Sequence, residues 1–401
     1  MPGWLTKVSS IGLPDETDSA PYKFGVDENP FLSDPYVGNM GDHAYFMLGN
    51  IDSPTPQWFL VGIDVRTGDR TFAPVPLATD QARPRCYLNG PDALLCLTDD
   101  GKDGTAWIIN SHNGRVEYTG PTALTVYSSQ FIMRQIGLYA VALKPDSGIY
   151  GVGPTAETTW FVPGNGTVND ADPHPLDLVP PALTNQPAGR GAARTITFSL
   201  KDGTVIRPTL ADNKQQQRSV TYPGGFAAEV AAPRELGHVQ FFDDSGAREG
   251  PNSAPGELGH ANGLPLVNLA GGGWALFDAP GELLMQQATP THANAEIVGD
   301  MLLISGDGPG DKRQFDMTSG TEMKPCDLPE GYFASDGRVA LGEHGYADTV
   351  RTTTAVDLTT CDTVWKSESP VGTFHRLWRI NTTLVQLSDD GTELMSLVAP
   401  G

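Results

Sequence analysis

Four cysteines, eight histidines and seven tryptophans, with several acidic clusters, are the residues through which this 401-residue chain could do chemistry. The cysteines are Cys86, Cys96, Cys326 and Cys361, a near pair and a farther pair. None stands in the C-x-x-C spacing that zinc sites and dithiol redox motifs use, so both chemistries fit poorly. Two disulfides, Cys86–Cys96 and Cys326–Cys361, fit better, each joining neighbouring strands; four buried free thiols are the alternative.

The histidines are His43, His112, His174, His238, His260, His292, His344 and His375, and no two fall at metal-ligand spacing. An echo, Glu235-Leu236-Gly237-His238 and Glu257-Leu258-Gly259-His260, could supply two carboxylate–imidazole pairs to a metal or to acid–base work. Recycled turn sequence explains it more simply. The run from Asp99 to Gly104 lacks the alternating ligands of a calcium loop, and Asn169-Asp170-Ala171-Asp172 is a short oxygen-rich turn. Gly306-Asp307-Gly308-Pro309-Gly310 has no lysine and opens no helix, so it does not cradle phosphate. Neither G-x-S-x-G nor H-E-x-x-H occurs. No catalytic residue, metal ligand or cofactor site is therefore assigned, and no ligand-binding residue is legible.

Among the tryptophans, Trp58, Trp107, Trp274 and Trp365 lie in or beside strand-like runs, where an aromatic wedge between packed sheets is expected. Trp4, Trp160 and Trp378 are less constrained, and any of the seven could line an apolar or sugar-stacking pocket. Asn165-Gly166-Thr167 and Asn381-Thr382-Thr383 match a glycosylation pattern that short stretches often match by chance.

The elements that must carry these residues are short. The 46 glycines and 33 prolines are spread along the chain, a turn density that many strands require. Any helical period is broken every ten residues or so by Gly, Pro, Asn or Asp. One phrase recurs: apolar residues, Asp or Asn, two or three turn residues, Gly, then alternation. Ile63-Asp64-Val65-Arg66-Thr67-Gly68 and Ile109-Asn110-Ser111-His112-Asn113-Gly114 are two copies. Others end at Gly246, Gly281 and Gly320, and at Cys361, where cysteine takes the glycine position and places a sulfur on a strand-connecting turn. A strand ends, the acidic or amide side chain caps the turn, glycine takes a positive φ, and the next strand departs. Further hairpins around Gly101, Gly203 and Gly391 read as the inner hairpins of the same unit.

The steps Gly68 to Gly114, Gly281 to Gly320 and Gly320 to Cys361 are 46, 39 and 41 residues, the length of a four-stranded propeller blade. The expectation is a single all-β propeller over residues 1–401, with long surface loops near 170–194 and 249–263. Dividing 401 residues by blade length with generous loops predicts seven blades, with eight as the alternative. The C-terminal runs around Trp378, Val385 and Met395 make three strands, so a segment between Leu5 and Val26 is expected to complete the last blade and seal the ring.

With 26 Lys+Arg against 48 Asp+Glu, a net charge of -22, the surface repels phosphate backbones and anionic lipid. This argues against nucleic acid and against polybasic membrane docking. Disulfides place the protein outside the cytoplasm, periplasmic or on the cell surface. Met1-Pro2-Gly3-Trp4-Leu5-Thr6-Lys7 is not a signal peptide, so a leader or N-terminal anchor is expected to precede these residues in the native protein.

The hairpin phrase at Ile63-Asp64-Val65-Arg66-Thr67-Gly68 resembles that of the quinoprotein-like (YVTN-like) β-propellers, a likeness over most of the chain that speaks to fold. With the acidic balance and cysteine pairs, the chain looks like an envelope propeller of actinobacteria. A narrower resemblance is to the periplasmic domain of the mycobacterial polar growth factor, which would imply trehalose monomycolate and its transporter as partners. The resemblance assigns no functional residue. The expected function is a non-catalytic, monomeric binding scaffold of the cell envelope, taking a glycolipid, a glycan or a membrane transporter protein. The alternative is an enzyme, either a quinone-dependent dehydrogenase, whose vicinal cysteines are missing here, or a carbohydrate-active propeller.

Overall fold

In the computed structural model the copies of the turn phrase become the hairpins of a repeating four-stranded antiparallel meander. The structure describes residues 2–13, 21–25, 34–50, 53–79, 83–98, 104–124, 131–168, 182–185, 195–232, 235–253, 255–288, 294–305, 312–326, 332–335, 337–344, 350–369, 377–388 and 390–397. Nine meanders are formed among them, over residues 23–79, 85–122, 132–163, 182–206, 215–249, 256–287, 294–323, 332–369 and 377–397. We call these the first to ninth blades. Three strands of the fourth are described.

Nine blades correct the expected seven or eight. The steps of 39 to 46 residues read from the turns already imply about nine units in 401 residues. The error lay in setting length aside for loops. Two stretches read as loops hold strands: Ala182–Asn185 lies within 170–194, and Gly256–Ala261 within 249–263. Their Gly- and Pro-rich surroundings hide them, because pairing with Thr195–Phe198 and Leu264–Leu269 overrides weak strand propensity.

The turns between third and fourth strands that open on Asp work as the phrase suggests. The Asp64 carboxylate accepts the Arg66 amide at 2.9 Å, Asp316 that of Thr318 at 2.8 Å, and Asp357 that of Thr359 at 2.9 Å. A positive φ follows at Gly68, Gly114, Gly203, Gly246, Gly281 and Gly320, and at Ala156 (55°) and Cys361 (65°) where no glycine is present. Gly203 belongs to this set, so its hairpin is an outer one and not the inner one expected.

An N-terminal strand closes the ring, though earlier than the expected window of Leu5 to Val26, which it overlaps only at residues 5–7. Pro2–Lys7 pairs with Glu393–Leu397 as the outermost strand of the ninth blade, beside Thr383–Leu387 and Leu377–Ile380. The Trp4 indole donates to the Val65 carbonyl at 2.7 Å, and the Thr6 hydroxyl donates to the Gly68 carbonyl. Gly68 is required there twice over, since its φ is 78° and a Cβ would sit 2.7 Å from the Trp4 ring.

Among the described residues the core is divided into nine apolar clusters, one at each seam between consecutive blades. Trp58 and Trp107 fill the seam of the first and second blades, Trp274 that of the sixth and seventh, and Trp365 packs between the eighth and ninth. All four are the expected wedges. Trp378, left open by the sequence, is buried in the closing seam against Phe46.

Candidate interaction surfaces

Both expected disulfides form. Cys86 and Cys96 are direct cross-strand partners within the second blade, with Cα atoms 4.0 Å apart. Cys326 and Cys361, with Cα atoms 5.0 Å apart, link different blades: Cys326 follows the last strand of the seventh, and Cys361 sits on a turn of the eighth. Beside this bond the fully buried Gln314 accepts the Cys326 amide at 3.1 Å and donates to the Leu358 carbonyl at 2.8 Å. Asp357, capping the same turn, is held below the usual carboxylate range by the Thr360 and Thr359 amides and by Arg338 at 2.9 Å.

The first strands of neighbouring blades meet one another, which makes them the wall of the central channel. Leu88 donates its amide to the Gln135 side chain of the third blade at 2.8 Å, and Arg218 of the fifth pairs with Glu257 of the sixth. Ala261 and Ala295 form a parallel bridge that fuses the sixth and seventh blades into one eight-stranded sheet. Asn262 reinforces it by accepting the Ile297 amide at 2.8 Å and donating to its carbonyl at 3.1 Å. In the first blade the inner strand is split into Lys23–Phe24 and Tyr36–Met40, both paired with His43–Gly49. On this wall Arg134, Arg218, Glu257, His260 and Arg379 are exposed, so it carries both signs of charge.

The Glu-Leu-Gly-His echo is brought together, though for structural work. The Gly256 amide donates to the Gly237 carbonyl at 2.9 Å, and the Glu229 carboxylate accepts the Leu258 amide at 3.3 Å across the seam of the fifth and sixth blades. His238 is 3.2 Å from the Gln240 side chain, and burial holds its imidazole below the usual range. Among the described residues no three His, Cys, Asp or Glu side chains gather as a metal would need. Asp99 to Asp103, Asn169 to Asp172 and Gly306 to Gly310 lie outside the described residues.

Sequence reasoning missed an aromatic strip on the third blade. Phe131 meets Tyr150 edge-on at 5.4 Å, and Tyr150 meets Phe161 at 4.6 Å, with Phe161 45% exposed. The seam beneath is built partly on small residues, Ala106, Ala140, Ala142 and Ala156. The run Thr158–Pro163 has no polar–apolar alternation, so nothing in sequence marks Phe161 as surface or joins it to Tyr150 or Phe131.

Residues 1–400 match a family described as the conjugation-associated 9-bladed beta-propeller domain. The chain belongs to that family. Its nine meanders supply the family's blade number. An uncharacterized protein of Mycolicibacterium smegmatis (strain MKD8) is 37% identical over 418 residues, covering 100% of this chain and 85% of the relative. Solved propellers give only distant likeness. BamB from Moraxella catarrhalis matches at 13% identity with a TM-score of 0.40, covering 90% of this chain and 96% of that one. A eukaryotic initiation factor matches at 12% identity with a TM-score of 0.45, covering 88% of this chain and 89% of that one. Among the described residues no helix of this conjugation-family propeller is long and apolar enough to cross a membrane.

Proposed function

We propose that this propeller is a non-catalytic binding scaffold that acts outside the cytoplasm, in the cell envelope, as part of a conjugation apparatus. The observation that carries the reading is the match of essentially the whole ring to a conjugation-associated family, so that the propeller itself is the family's shared unit. Two disulfides, one within a blade and one between blades, support an oxidising location. The partner is an envelope protein of the transfer or transport machinery, docked on the ring, and the small-molecule ligand is an envelope glycolipid of the trehalose monomycolate type.

Deleting the gene and scoring DNA transfer in matings tests the reading. Transfer should drop at least tenfold and return with the wild-type gene; unchanged transfer in both donor and recipient deletions would overturn it. For the glycolipid, native mass spectrometry with added trehalose monomycolate should give a one-to-one complex. No complex at millimolar ligand removes that part of the proposal.

A further inference from the structure

Two disulfides of equal chemistry sit at unequal places in this ring. Cys86–Cys96 ties adjacent strands of one blade that already share a ladder; Cys96 packs in the seam of the first and second blades, but the bond does not cross it. Cys326–Cys361 crosses a seam. The apolar set there is small among the described residues: Val298, Met301, Cys326, Ala340, Val356 and Leu358, with no aromatic ring. The buried Gln314 beside it is satisfied only while Cys326 and Leu358 hold their places.

The turn that carries Cys361 adds a second, independent observation. Six of the equivalent turns place glycine at the positive φ, and Cys361 takes 65° with a side chain that disfavours it. Asp357 caps the turn through the Thr359 and Thr360 amides, the bond ties it to the seventh blade, and the turn presents Leu358 to Gln314 and to the seam. Without the bond, a seam with no aromatic wedge among its described residues must keep a strained turn and a buried amide by itself.

We propose that Cys326–Cys361 is an oxidation-dependent latch, making firm closure of the seam between the seventh and eighth blades conditional on an oxidising environment, while Cys86–Cys96 has no such role. The step is thiol–disulfide exchange. A thiolate of an external dithiol attacks the half-exposed Cys361 sulfur and Cys326 leaves as its thiolate. The second thiol of the reductant resolves the mixed disulfide, giving two protein thiols and one oxidised dithiol. In the reverse direction, an envelope disulfide donor sets the latch. This inference concerns the ring and stands whether or not conjugation is the activity.

The test is a dithiothreitol titration of the native full-length protein, with alkylation and peptide mass spectrometry to locate free thiols and amide hydrogen exchange to read the seams. Cys326 and Cys361 should label at a dithiothreitol concentration at least tenfold below that for Cys86 and Cys96. Exchange should rise at least tenfold in Lys312–Asp316 and Arg351–Asp357 and stay unchanged in Gln57–Asp64. Labelling of Cys86 and Cys96 first, or unchanged exchange once Cys326–Cys361 is open, would overturn the proposal. The variant Cys326→Ser/Cys361→Gly separates strain from latch. The proposal expects its seam to exchange faster than that of the oxidised wild type despite the relaxed turn, and equal protection would contradict it.

Discussion

The closing seam, between the ninth and first blades, and the seam between the seventh and eighth are held by different means. The first buries sixteen described residues, among them Phe24, Phe46, Phe59 and Trp378, and has no covalent cross-link. The second buries six and is bridged by a disulfide and a buried glutamine. Apolar area is non-directional and grows with the surface removed from water, so it suits a junction completed by two distant ends of the chain. Pro2–Lys7 must find Glu393–Leu397 across nearly the whole sequence, and the aromatic cluster rewards that encounter. Where the backbone itself runs from one blade into the next, the connection already holds the blades together, and the described buried set varies from three residues between the eighth and ninth blades to thirteen between the first and second.

Breaking the apolar seam should cost most. Trp378→Ala removes a side chain packed against Tyr36 and Phe46 and is expected to destabilise by about 3–5 kcal/mol, read by urea unfolding. A loss below about 1 kcal/mol would mean that the seam is not the packed junction described. Next in size, Cys326→Ser opens a loop closed by a sequence separation of 35, worth about 3–4 kcal/mol on the chain-entropy view. Gln314→Ala strands the Cys326 amide and Leu358 carbonyl and should cost about 1–3 kcal/mol. Combined with Cys326→Ser it should show coupling, while combined with Trp378→Ala the two effects should add.

The smallest effect is a pH dependence within the ninth blade. Hydrogen bonds from Ser388 and Thr392 lower the Asp390 carboxyl from 3.8 to about 2. A depressed carboxylate pKa stabilises the folded state above the unfolded value, and that stability is lost as pH falls from about 4 to about 2. The melting temperature should drop less steeply over that range in Asp390→Asn than in wild type; parallel curves would contradict the assignment.

Much of this was legible, and the misses have physical causes. The turn phrase showed the blade because an Asx cap followed by a positive φ is a local requirement that repeats. Cys361 could be placed on a turn because it replaced glycine in that phrase. The third blade escaped because Ala156 fills its positive-φ position; the first was found by its Gly68 turn, but the division of its inner strand into Lys23–Phe24 and Tyr36–Met40 was not visible. Trp378 could not be assigned to a seam, since which blade it faces depends on ring closure. The strip of Phe131, Tyr150 and Phe161 depends on strand register, which no local signal reports.

The register Leu5 opposite Met395 is the point at which the ring is either closed or not. Introducing Leu5→Cys and Met395→Cys together and oxidising the purified protein tests it directly. A closed ring gives an intramolecular crosslink between the two introduced thiols in monomers, found by peptide mass spectrometry, with the melting temperature kept or raised. Free thiols at both positions, or a crosslink found only between two chains, would contradict a nine-bladed ring sealed by its own first strand.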